Sequence, residues 1–171
     1  MVPMKSFLLM SVLLKLAFSG SCDSLLPKDV VIPSGWRVVT LADLPNDDRD
    51  LWQREHTGRC PGVAAGRLVS GDRYSYAVAL LKEDANGGLF QQLVVWLWAG
   101  GHLSSTVLVG PTPVVAGPFV VWMAPPGKSV GVDGQPPVMF AHDSFIYEKM
   151  EAIATQFYYL NGRFRKLQTA E

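Results

Sequence analysis

Charge of either sign is scarce, and neither sign is in excess. Asp, Glu, Lys and Arg make up only 18 % of the 171 residues, and the formal net charge is zero. The first 21 residues hold Lys5 and Lys15 and no acid, so the remainder carries 13 basic against 15 acidic residues. A mildly acidic chain without a basic stripe lacks the electrostatic footprint for nucleic acid or an anionic membrane surface. Histidine is limited to His56, His102 and His142. Only His56 has a possible co-ligand nearby, Cys60, and one His with one Cys cannot close a zinc site. No pair of acidic residues stands out as a general acid and base. No cofactor or metal is therefore expected. No segment repeats at the 20–50-residue period of solenoids and propellers.

Glycine and proline, by contrast, are plentiful at 16 and 12. They fall between apolar runs, as in β-proteins with many turns. The central stretch is Arg73 to Ala99. Tyr74, Tyr76, Val78 and Leu80 alternate with Ser75, Ala77, Ala79 and Leu81, and both sets are mostly apolar. Such a strand is predicted to be covered on both faces. Leu89 to Ala99 is a second apolar run, with Phe90, Val94, Trp96 and Trp98 on one face. Asn86-Gly87-Gly88 between them permits a reversal. The pattern predicts a central antiparallel hairpin flanked by other strands.

Residues 1–21 read as a signal peptide: Lys5, the apolar run Phe7 to Leu14, then small residues at Ser19, Gly20 and Ser21. The run is too short to cross a membrane. Export to the periplasm or outside the cell follows as an expectation. The only two cysteines, Cys22 and Cys60, then suggest one disulfide. An alternative stays open. Ser19-Gly20-Ser21-Cys22 has the small residues of a lipobox, and a lipidated Cys22 would leave Cys60 a buried thiol.

In chain order, Thr40 can cap a brief helix at Leu41 to Leu44, and Pro45 to Asp48 can cap a second at Arg49 to Glu55. Val63 to Val69, Leu103 to Val109 and Phe119 to Met123 read as strands. Gly110-Pro111-Thr112-Pro113 reads as looser chain, and Ala124 to Pro137 as a long surface loop. Short strands at Val138 to Ala141 and Phe145 to Tyr147 flank a bend at His142-Asp143-Ser144. Ala154 to Leu167 forms the clearest hairpin, turning at Asn161-Gly162. That turn sets Tyr158 opposite Arg165, Tyr159 opposite Phe164 and Leu160 opposite Arg163. Phe157, Tyr159 and Phe164 then face the core, and the other face, with Tyr158, Arg163 and Arg165, is expected to be at least partly solvated. The expected whole is one mainly β domain over residues 22–171, an antiparallel meander of some seven to nine strands with one or two short N-terminal helices. It closes as a sandwich or a partly open barrel.

Cys60-Pro61-Gly62 through Tyr76-Ala77-Val78-Ala79-Leu80-Leu81 resembles a segment of small uncharacterised exported bacterial proteins with a degenerate FG-GAP (VCBS-like) motif. Gly35-Trp36-Arg37 and the hairpin Phe157 to Arg165 are similar too. Calcium-binding members of the wider motif carry alternating acids in the loop. Here Arg67, Val69, Gly71 and Ser75 stand at those positions and only Asp72 lies nearby. The resemblance implies a strand and its turn, without the ion.

Gly127-Lys128-Ser129-Val130-Gly131 matches a nucleophile elbow in letters only, because no helix signal follows. His142-Asp143-Ser144 holds triad residue types on one short bend, which cannot give triad geometry. Three functional readings follow. The first is an exported non-catalytic domain that binds a protein, in concrete form an inhibitor or immunity protein against a cell-wall hydrolase or toxin. Its contact candidates are Tyr158, Arg163 and Arg165 on the last hairpin, with Lys128, Ser129 and His142 on neighbouring loops. The second is an envelope accessory module that binds glycan through Trp96, Trp98 and Trp122. The third is a hydrolase using Ser129 or Cys60.

Overall fold

The computed structural model describes residues 22–132 and 134–170, so the leader at 1–21 lies outside the described residues. A 3-10 turn at Cys22–Leu25 opens the chain. Strand β1 is Arg37–Val38, a second 3-10 turn is Leu41–Asp43, and helix α1 is Asn46–Glu55. Then come β2 (Val63–Gly66), β3 (Ser75–Glu83), β4 (Leu89–Ala99), β5 (His102–Pro113), β6 (Val120–Ala124) and β7 (Gly127–Ser129). The last four are β8 (Val138–Phe140), β9 (Ser144–Glu148), β10 (Ala154–Leu160) and β11 (Arg163–Ala170). All pairings among them are antiparallel.

The central hairpin is β3 with β4, in a register that places Val78 opposite Val94 and Tyr76 opposite Trp96. β5 pairs with the far side of β4, and β1 and β2 share the near edge of β3 end to end. Ala79 sits at their junction: its carbonyl accepts from Val39 N–H at 3.0 Å and its N–H donates to Gly62 at 2.9 Å. A Cβ on Gly62 would lie 2.3 Å from the Val39 carbonyl oxygen, so only glycine lets these two stretches pass. A second sheet runs β11-β10-β9-β6, and a two-strand ribbon joins β7 to β8.

The two sheets are open rather than closed into a barrel, and one core lies between them. Ala77, Ala79 and Leu81 of β3 and Leu93, Val95 and Leu97 of β4 meet Val121, Phe145, Tyr147 and Phe157 of the second sheet. The opposite face of the central hairpin is apolar as well, because it is also covered. Val78, Leu80, Val94 and Trp96 pack under the N-terminal segment with Cys22, Val30, Val38 and Cys60, and Leu26, Ile32 and Trp36 join them. Each fully buried Leu or Val there contributes about 1.5–3 kcal/mol. Cys22 is bonded to Cys60 across 38 residues, with Cα atoms 5.8 Å apart. The bridge takes up the Cys22 sulfur and excludes the lipidated alternative.

At the N-terminal end, Asp43 accepts from Thr40 N–H and Oγ1, each at 2.8 Å, and from both arms of the Arg37 guanidinium at 2.7 and 2.6 Å. Burial pushes its carboxyl up, but these donors outweigh that and hold it below the ordinary range. α1 starts at Asn46, three residues before the expected Arg49, because Pro45 serves as the cap and Asp47 and Asp48 suit the first turn.

Three expectations need correction. β2 stops at Gly66, and residues 67–69 leave the sheet. β5 runs on through Gly110, Pro111, Thr112 and Pro113, since an edge strand can carry prolines whose missing N–H groups point away from the sheet. Ala124 to Pro137 is not all loop, because Gly127–Ser129 pairs with Val138–Phe140. That ribbon folds back on the second sheet, where Val132 N–H donates to Gln168 at 3.0 Å. The outer face of the last hairpin is therefore partly covered. Its register is as expected, with Tyr158 opposite Arg165. Arg163 and Arg165 are exposed, but Gln156 and Leu167 on the same face are buried. Tyr158 is half-buried, with its ring edge-on to Phe140 at 4.9 Å.

Candidate functional site

The residues proposed from sequence separate into two places. Lys128 is exposed and Ser129 half-buried on the ribbon, and Tyr158, Arg163 and Arg165 lie on the hairpin face behind it. Among the described residues no histidine is hydrogen-bonded to Ser129, and β7 is not followed by a helix. Cys60 is spent in the disulfide. Ser144 is fully buried, accepts from Gln156 Nε2 at 2.7 Å and donates to the Ala124 carbonyl at 3.4 Å. It is a core hydroxyl rather than a nucleophile. No group of three or more His, Cys, Asp or Glu capable of holding a metal occurs among the described residues.

The three tryptophans do not form a row. Trp96 is 5 % exposed under the N-terminal segment. Trp122 belongs to the second sheet and lies beside His56, with ring centroids 5.2 Å apart and planes tilted by 43°. His56 in turn lies 4.1 Å from Trp52. These rings flank a cleft of about 330 Å³ lined by Leu25, Trp52, Arg59, Cys60, Trp122 and Met123. Burial holds the His56 imidazole below its ordinary value, with Glu55 opposing and Arg59 adding to the shift. Burial also pushes the Glu148 carboxyl up, with Glu55 adding to this. The Trp122 indole N–H is buried without a well-formed hydrogen bond, and its loose contact with Glu148 restrains that rise only in part.

A different surface collects the chemistry of recognition. The loop Arg67 to Tyr74 leaves β2 and enters β3. The end of β4 lies beside it, because Trp98 N–H donates to Ser75 Oγ at 3.1 Å. The Arg67 guanidinium sits 5.1 Å over the Tyr74 ring, and that of Arg73 sits 4.9 Å over Trp98. Tyr74 is 47 % exposed. Arg73 and Trp98 line a shallow cleft of about 170 Å³ with residues 69–72 and 99–101. The ion pair found between described residues is that of Arg37 with Asp43, and neither the Arg67 nor the Arg73 guanidinium is ion-paired with a carboxylate among them. A guanidinium held over an aromatic face by cation–π attraction, with no ion pair of its own, still has N–H donors to offer a carboxylate.

The bend at His142–Asp143 is brought to this same end. Asp143 Oδ2 accepts from Arg67 N–H at 2.7 Å, and Asp143 N–H donates to the Arg67 carbonyl at 3.1 Å. Of the sequence candidates, only His142 and Trp98 thus fall near the Arg–aromatic pairs. Sequence reasoning named Arg67 only as a place where a motif acid is missing, and Arg73 and Tyr74 only as the start of the central strand stretch. The signal that finds them is the register of the central hairpin, which, extended by two residues beyond Tyr76 and Trp96, sets Tyr74 opposite Trp98.

No protein-family model, curated protein or solved structure matches this chain.

Proposed function

We propose that the chain is an exported, non-catalytic domain that binds another protein through the end of the sheet carrying Arg67, Tyr74, Arg73 and Trp98. The supporting observation is the pair of guanidiniums held about 5 Å from aromatic ring centroids, neither ion-paired with a carboxylate among the described residues. Trp, Tyr and Arg are the residue types that anchor interfaces. The disulfide accords with an oxidising compartment, either periplasmic or extracellular. No helix among the described residues is long and apolar enough to cross a membrane. The concrete form of the proposal is an inhibitor or immunity protein against a cell-wall hydrolase. Glycosidases carry a pair of carboxylates about 5–10 Å apart in their cleft, and two presented guanidiniums complement such a pair. Kinship with exported FG-GAP-like proteins belongs to the same proposal: the loop that holds acids in that motif holds arginines here.

The test is affinity capture from an envelope extract with the disulfide-bonded chain as bait, repeated with Arg67→Ala/Arg73→Ala. The expected result is a secreted hydrolase recovered in near-equal amount by the parent and lost by the variant. Equal recovery by both would remove the arginines as anchors. Capture of no stoichiometric protein would remove the reading.

A further inference from the structure

The outer edge of the first sheet has no guard over half its length. β5 hydrogen-bonds to β4 on one side only. It holds no Asp, Glu, Lys or Arg in its twelve residues. The other edges among the described residues are closed in some way. β1 and β2 are two and four residues long. β11 carries Arg163, Arg165 and Lys166, and the Gln168 carbonyl is taken by Val132. On β6, Val121 N–H donates to the Pro61 carbonyl. Soluble proteins blunt long edges with charge, proline, bulges or cover, because a bare edge accepts a further strand. Proline and bulges protect β5 only toward its end. Val94 faces Val107 and Leu93 faces Val109, which leaves Leu108 as an extra residue, and Pro111 and Pro113 follow. Residues 102–107 remain regular, uncharged and mostly exposed.

We infer that two copies of this chain pair through β5, antiparallel about a two-fold axis at Ser105. The strand is complementary to itself in that register. Leu103, Ser105 and Val107 share the face of Trp98, Trp96 and Val94, and Ser104 and Thr106 share the other. A dyad at Ser105 sets Leu103 of one copy opposite Val107 of the next, on both sides of the axis. It also sets Ser104 opposite Thr106, a hydroxyl pair of the kind that stabilises neighbouring strands. Val107, 53 % exposed in the single chain, acquires an apolar partner. Moving the axis to Ser104 puts Leu103 opposite Ser105, and moving it to Thr106 runs the pairing into the bulge at Leu108. Both shifts leave Val107 without an apolar neighbour. No charge on β5 opposes its own copy across the axis. This inference is independent of the proposed partner, since it concerns a different edge and needs no second protein.

Sedimentation equilibrium of the disulfide-bonded chain tests it, with the amides of residues 103–107 followed by hydrogen exchange. The expected result is a mass that rises with concentration to two chains, and β5 amides that become protected in parallel. Val107→Lys places a cation opposite Leu103 on both sides of the axis and is expected to leave a folded monomer. Met139→Lys, at a residue 72 % exposed on β8, is expected to dimerise like the parent. A monomer at all concentrations to about 1 mM would overturn the inference. So would a Val107→Lys variant that dimerises unchanged. Protection of β5 by an added envelope protein in a chain that stays monomeric would assign the edge to a foreign strand and overturn self-pairing.

Discussion

Asp143 grips the Arg67 backbone twice across 76 residues of chain: its carboxylate accepts from Arg67 N–H at 2.7 Å, and its own N–H donates to the Arg67 carbonyl at 3.1 Å. This clamp sets where the Arg67 loop leaves β2 and so where its guanidinium meets Tyr74. Asp143→Ala removes the carboxylate acceptor and leaves the Arg67 N–H to water. The expected cost is about 1–2 kcal/mol of stability. Capture of a partner should weaken further than that loss explains, because the loop is no longer positioned. Urea unfolding beside the capture assay separates the two.

Gly62→Ala should be among the most damaging single substitutions. The added methyl group would meet Val39 O at 2.3 Å and Val38 Cγ1 at 2.6 Å, and neither can retreat without breaking the pairing of Ala79. A loss of about 1–3 kcal/mol is expected, at the upper end because backbone must move. Thermal denaturation followed by circular dichroism reads it. Gly71→Ala makes a control, since its Cβ would meet nothing within 4 Å, although its φ of +125° adds backbone strain.

Replacing both cysteines by serine should cost about 3–4 kcal/mol, from the loop the bridge closes. It should also have a local signature. Trp96 lies beneath the N-terminal segment. Its fluorescence should shift to the red and become quenchable by acrylamide at denaturant concentrations where the second sheet is still folded. A fully concerted loss of all signals would show instead that the cover and the core are one unit.

Stability should depend on pH through two groups of opposite sense. Glu148 is raised from its ordinary 4.5, so its contribution is fully present below that value and is lost as pH rises through the raised one. Glu148→Gln keeps the acceptor beside Trp122 and removes the charge. The variant should be more stable than the parent at pH 7 and converge on it below pH 4.5. His56 is lowered from 6.5, so its contribution is present above that value and is lost as pH falls through the lowered one. His56→Gln should flatten the acid side of the profile. Melting temperatures from pH 4 to 8 would show both.

The last hairpin was legible because one local feature determines it. Asn161 and Gly162 both have positive φ, at 51° and 79°, as a type I′ two-residue turn needs, and the turn then sets the opposing pairs from Leu160–Arg163 out to Thr155–Gln168, beyond which the register shifts. The central hairpin was legible from composition, since two apolar faces need two covers. What supplies each cover was not. The sequence of 22–36 says only that it is extended, and its place over Val94 and Trp96 follows from tertiary packing and the disulfide. Pro111 and Pro113 misled because a proline ends a central strand but not an edge strand. The Arg–aromatic pairs join residues 7 and 25 positions apart, so they exist only once β2, β3 and β4 are in register. That Tyr158 is half-buried against Phe140 was not legible, because the pairing of Gly127–Ser129 with Val138–Phe140 has no local signature.

Both cysteines precede β3 in the chain. The bridge thus closes a hoop of residues 22–60 from parts that are synthesised before the hairpin it shelters. Nothing downstream of Cys60 has to arrive for the two sulfurs to join. An oxidant acting early would hand β3 and β4 a lid already tied at both ends, so that docking the hairpin beneath it becomes the later event.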